Sequence, residues 1–403
     1  MVAAEILTAA RPEPWRCAVV AMLATLVGLC ACGNSATPTA GTTSLSLACA
    51  SSTAHVGRLE PATDTVATGG SPFSVLPIPG TDLAVASVTT DGNPPRGALA
   101  VLRVSAETES LARSIILPAT TGASGMALSH NVRLLAVTTP SDGTLIVSIS
   151  ELLADDADPV VGGLDDGTSG QIEAAFSIDD NYLFVTDENS DDLSVFNIAR
   201  GLASGFTTAN VLVGRVLLSA GPVGVAVSPN GQSVYVTTEG PSGGPGFLWV
   251  LDERIASQNP GAAIVGHVGA GCNPVRVAVS PTGDMVWVTA RASDALVGFS
   301  AADLLTQSSR ALKAIVRVGF EPVGLALYDG GDDAVVANSS RFATSPAPQN
   351  LTVVNLAAAL AGRVAIVDWV AAGVFPREIS IDGAIGLVTN YGSNTVEAFK
   401  IPI

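Results

Sequence analysis

The stretch Gly221–Thr238, GPVGVAVSPNGQSVYVTT, decides the fold. Val223, Val225 and Val227 alternate with Gly224 and Ala226, which is the period of a strand. Ser228-Pro229-Asn230-Gly231 follows; proline pre-sets the first turn angle and glycine accepts the positive φ most residues resist. Val234, Tyr235 and Val236 then rebuild a strand. The unit is therefore strand, tight turn, strand.

The unit recurs. Aligned on Pro222, clear copies are NPVRVAVSPTGDMVWVTA at Pro274, EPVGLALYDGGDDAVVAN at Pro322 and FPREISIDGAIGLVTN at Pro376. Weaker copies are GQIEAAFSIDDNYLFVTD at Gln171, GASGMALSHNVRLLAVTT at Ala123 and SPFSVLPIPGTDLAVAS at Pro72. The seven anchors, at positions 72, 123, 171, 222, 274, 322 and 376, give a period of about 50 residues, the range of solenoids and propellers. Two more strands follow each copy, such as Phe247–Leu251 and Ala262–Val268. Four strands per unit is a propeller blade. The expected fold is all-β: a seven-bladed β-propeller of four-stranded blades. Blade seven runs out of chain after its third strand, Thr395–Ile401, while a spare strand lies in Ala54–Thr68. The last blade is expected to be closed by that N-terminal strand, which removes an open edge.

Residues 1–31 read as a signal peptide. Arg11 and Arg16 precede an apolar run, Ala18–Leu29, too short to span a membrane. Leu29-Cys30-Ala31-Cys32-Gly33 resembles the bacterial lipobox, and that resemblance implies lipidation of Cys32. Residues 32–53 read as the lipidated cysteine and a flexible tether, uncharged and rich in Gly, Ser, Thr and Pro over 33–43. Residues 54–403 form the propeller. Such a chain belongs in the bacterial envelope, on the periplasmic or outer-surface side, touching membrane through its lipid alone.

The formal charge is −17, which repels phosphate backbones and excludes nucleic acid as a partner class. Cys49 and Cys272 are expected as two lone thiols, because one precedes the closing strand of blade seven and the other enters blade five. His55, His130 and His267 are scattered without ligand spacing, so no metal and no cofactor is expected. The acidic runs Asp155–Asp158, Asp165–Asp166 and Asp187–Asp192 match no calcium loop and read as solvated turns. Short helix-like runs follow the third strands, each with Asp, Ser or Asn near its start. The loops Thr89–Gly97, Glu239–Gly246 and Asn338–Asn350 are long, on the face where each blade is entered.

One position carries chemistry. Two residues after each anchor stand Ser74, Gly125, Glu173, Gly224, Arg276, Gly324 and Glu378. Repeat register places all seven at one level around the axis. Asn273, Glu321 and Arg377 lie beside them. Glu173, Asn273, Arg276, Glu321, Arg377 and Glu378 are the ligand-binding candidates. The cluster is either a paired plug or a polar site for a small ligand.

The copies VAVSPNGQSVYVTT, VAVSPTGDMVWVTA and GLVTNYGSNTVEAF resemble the YVTN-type β-propeller repeat, close to the YncE-like and lactonase-like seven-bladed propellers. The resemblance covers most of Pro72–Ile401 and implies fold more than activity. It implies a surface or periplasmic binding protein, monomeric, taking a small ligand or an envelope protein without catalysis. Its lactonase-like branch implies instead a hydrolase of sugar lactones, with carboxylates at the channel mouth acting on water. No catalytic motif of that branch matches residue by residue.

Overall fold

The computed structural model describes residues 47–49, 57–59, 64–104, 109–154, 158–241, 244–308, 310–341 and 349–401. The expected signal segment, Cys32 and most of the tether lie outside them, as do His55, Asp155 and the middle of the blade-six loop. The described chain forms seven antiparallel sheets of four strands. In blade four the strands are Pro222–Val227, Ser233–Thr238, Pro245–Asp252 and Ile264–Cys272, from the axis outward. Blade seven takes its outer strand, Asp64–Ala67, from the N-terminal side; Asp64 pairs with Ala398 and Ala67 with Thr395. The ring closes through this pairing.

The core lies between blades. Phe184 and Val195 of blade three pack with Val234 and Val236 of blade four in one buried cluster. Each such large side chain contributes about 1.5–3 kcal/mol by leaving water. The short runs after the third strands are short helices, including Ile149–Leu153, Ala301–Leu305 and Leu356–Leu360. Ser148, Ser300 and Asn355 cap them by accepting a backbone N–H three residues on.

Two devices aim side chains at the axis. The first is a left-handed residue just before six of the anchors: Gly122, Gly170, Gly221, Asn273, Glu321 and Phe375. Glycine and asparagine tolerate that conformation best. The second is a bulge. In six of the inner strands the ladder register shifts within three residues of the anchor. A bulge bends the strand and re-aims its side chains. Here it turns two consecutive residues toward the channel.

The backbone groups freed by the bulge are taken by hydroxyls fifteen residues after the anchor, or thirteen in the shorter blade seven. Thr186, Thr237 and Thr289 accept from the N–H of Glu173, Gly224 and Arg276, each at 3.0 Å. The same hydroxyls donate onward to Val223 O, Val275 O and Val323 O of the next blade, at 3.1, 2.6 and 2.8 Å. Thr389 and Ser87 bridge in the same way to Phe73 O, at 3.0 Å, and to Ser124 O; in blade two Thr138 donates to Ile172 O at 3.0 Å, and the Gly125 N–H reaches that carbonyl directly. Blade six breaks the pattern with Ala337.

The structure corrects two expectations. Cys49 and Cys272 form a disulfide, with Cα atoms 5.2 Å apart. Proximity of Cys49 to the closing strand in sequence does not bound its place: the 15 residues to Asp64 can span roughly 50 Å. The acid runs of blade three are not solvated turns either. Asp166, Asp187 and Asp192 are buried. Thr168 Oγ1 donates to Asp166 and Asp187, at 2.6 and 2.7 Å, Ser194 donates to Asp166, and Arg215 Nε lies 3.8 Å from Asp166 and Asp192.

Candidate functional site

From blade two to blade seven the residues two after each anchor alternate between glycine and charge, and blade one has Ser74. The glycines of blades two, four and six make room. A Cβ on Gly224 or Gly324 would meet Val275 O or Arg377 O at 2.3 Å. At Gly125 the space holds the Glu173 carboxyl itself, 2.7 Å from where a Cβ would be. Charged side chains from blades three, five and seven fill what the glycines leave. Arg276 Nη2 contacts Glu173 Oε1 at 2.7 Å, and Arg276 Nε donates to Glu378 Oε1. One guanidinium thus bridges two carboxylates. The side chain of Arg276 is 7% exposed and each glutamate 13%.

Two acids on one base leave a charge excess. Burial pushes Glu173 up to about 8, with Arg276 pulling against it and Glu378 adding to it. Glu378 is raised too, by burial against the pull of Arg276 and Arg377. Burial opposes the charge on Arg276, but the two glutamates more than offset it and its pKa rises. Burial therefore biases both deep carboxyls toward the protonated form.

A second ring lies one residue nearer the anchors. Val223, Val275 and Val323 form a buried cluster with Ile172 packed against it. Side chains of four different blades meet only at the axis. On the other side of the ring Arg377 takes this position. Its Cζ lies 3.6 Å from the centre of the Phe73 ring, and the Phe375 and Tyr391 rings are each 5.5 Å away. Burial and Arg276 push Arg377 down to about 9, so it is still protonated at neutral pH.

These residues line a recess of about 420 Å³, counting its open mouth. Its rim is formed by Glu188, Glu239, Arg291 and Arg341. Arg291 Nη2 pairs with Glu239 Oε1 at 3.0 Å. Glu188 is raised by burial and by Glu239. Glu239 and Arg341 stand on the long loops of blades four and six, so the recess opens on the long-loop face.

Of the six candidates, the structure brings together Glu173, Arg276, Arg377 and Glu378. Asn273 serves the rim, donating from Nδ2 to Glu239 Oε2 at 3.3 Å. Glu321 is a link residue: its N–H donates to Asp294 Oδ1 at 2.9 Å and its carbonyl accepts from Ser339 Oγ at 2.8 Å. The left-handed backbone at both positions accounts for their place in the repeat. Sequence reasoning missed the apolar ring and the rim. Both had a signal: Ile172, Val223, Val275 and Val323 each follow an anchor directly, and Glu188, Glu239 and Arg291 each stand seventeen residues after one. Among the described residues no group of three or more His, Cys, Asp or Glu side chains is placed to hold a metal ion.

No family model matches the chain, and no curated protein matches it in sequence. Solved structures do. The β-propeller domain of Cps50 (Swd1) from Myceliophteria thermophila is 12% identical, with 85% of this chain and 99% of that one covered at a TM-score of 0.62. Hydrazine synthase of Kuenenia stuttgartiensis is 14% identical, with 84% and 97% covered at 0.64. At these identities the likeness carries the propeller fold alone.

Proposed function

We propose that this seven-bladed propeller is an exported, non-enzymatic binding protein that takes a small ligand in the recess on its long-loop face. The observation that carries the reading is the Glu173–Arg276–Glu378 triad beneath that recess. It gives a polar floor under an apolar wall, and small-molecule sites combine those two surfaces. The repeat's likeness to YVTN-type propellers supports the same role. Lipidation at Cys32 would hold the domain in the envelope, and a disulfide suits the oxidising side of the membrane. The lactonase-like reading is weaker. Both deep carboxylates are engaged by one guanidinium, which leaves neither free to activate water.

A mixed panel of small metabolites and lactones tests this on the purified full chain. Ligand-observed NMR should give hits that Val223→Trp, which fills the recess, abolishes. No lactone should turn over. Lactone hydrolysis lost in Glu378→Gln would replace the binding role with the hydrolytic one.

A further inference from the structure

The deep arginines of the recess are not equally engaged. Arg276 has two carboxylates, yet its Nη1 is buried without a hydrogen-bond partner. Arg377 makes no ion pair among the described residues; it lies on the Phe73 ring, and its Nε is also buried without a partner. Buried donors are normally satisfied, and an unsatisfied one on a guanidinium costs more than a neutral group would. Both arginines line the same recess, with these donors just beneath its surface. Opposite Arg377, across a seven-membered ring, stand Ile172 and Val223, with Val275 and Val323 continuing the apolar arc. The level just above the triad is thus cationic on one side and hydrocarbon on the other.

We propose that the recess binds a small monocarboxylic acid, its carboxylate meeting the guanidinium groups of Arg377 and Arg276 and its short apolar body lying on the valine arc. This rests on the binding role proposed above and names the ligand class. The charge state fits a monoanion. Two deep arginines stand against two carboxyls that burial biases toward the protonated form, so the deep cluster leans to net positive charge. The apolar arc favours an acid with a hydrocarbon body over inorganic phosphate. A planar guanidinium also matches a carboxylate edge to edge. A short body suffices, because the apolar arc is one residue deep.

The test compares four probes on the full chain: butyrate, butyramide, butylammonium and inorganic phosphate. Butyrate should bind saturably and at least about tenfold more tightly than the other three, as expected when charge-assisted hydrogen bonds are gained. Arg377→Met should lose about tenfold or more toward butyrate, and Arg377→Lys should recover part of that loss. Val223→Trp should abolish binding with the arginines intact, so the proposal is testable even where Arg377→Met fails to fold. Butyramide, butylammonium or phosphate binding as well as butyrate in the same recess would overturn the acid and leave the binding role standing. No probe acting at the recess would overturn both.

Discussion

Asp187 ends the second strand of blade three, where blades six and seven carry Asn338 and Asn390. The asparagines donate across to the third strand: Asn338 Nδ2 to Thr352 Oγ1 at 2.8 Å and Asn390 Nδ2 to Glu397 Oε2 at 2.7 Å. An ionised aspartate has no proton to donate. Burial pushes Asp187 up to about 8, and Asp166 and Asp192 add to the rise. The folded chain therefore holds a proton here that the unfolded chain gives up near its ordinary value of 3.8. Where the folded state binds the extra proton, stability falls as pH rises. Asp187→Asn should flatten that fall between pH about 4 and about 8 and leave the variant more stable than the parent at the upper end. Chemical denaturation at a series of pH values checks it; parallel profiles would contradict it. The substitution of Asp for Asn in the repeat was visible in the letters. Its burial was not, since a run of acids reads as solvated until Thr168, Ser194 and Arg215 are seen around it.

Between neighbouring blades, the repeated hydroxyl is the smallest connecting element. It satisfies a bulged N–H in its own blade and a carbonyl in the next. Ala337 leaves the Arg377 carbonyl without that donor, although Gly324 lies against Arg377 O just as Gly224 lies against Val275 O. Ala337→Thr should complete the set and raise stability by about 0.5–1.5 kcal/mol. Thr289→Val, nearly the same in shape, should cost about 1–3 kcal/mol by stranding Val323 O and the Arg276 N–H. Equilibrium unfolding measures both, and a destabilised Ala337→Thr would show that blade six has no room for the hydroxyl. The hydroxyls stood in six aligned copies of the sequence, five as threonine and one as Ser87. Their work stayed hidden because Thr is also a common strand residue, and no periodicity reports a bulge.

At the scale of the whole ring, seven anchors and one spare strand were enough to read the architecture, because each blade needs only its neighbours. The disulfide was not legible, since pairing depends on where a connecting segment travels. Cys49→Ser should lower stability by roughly 2–4 kcal/mol, seen as an earlier denaturant midpoint; an unchanged midpoint would mean that the bond constrains nothing beyond its own loop. Around the bond, Leu47 packs beside Gly271 and Ala290, and Ala48 O accepts from Ser293 Oγ at 3.1 Å. The bond also decides how the molecule carries load. A pull on the chain before Leu47 reaches a covalent link at the end of strand Ile264–Cys272 before it can reach Asp64–Ala67. Traction that would otherwise peel the closing strand from blade seven, one hydrogen bond at a time, is diverted into the side of blade four, and the seam of the ring stays slack.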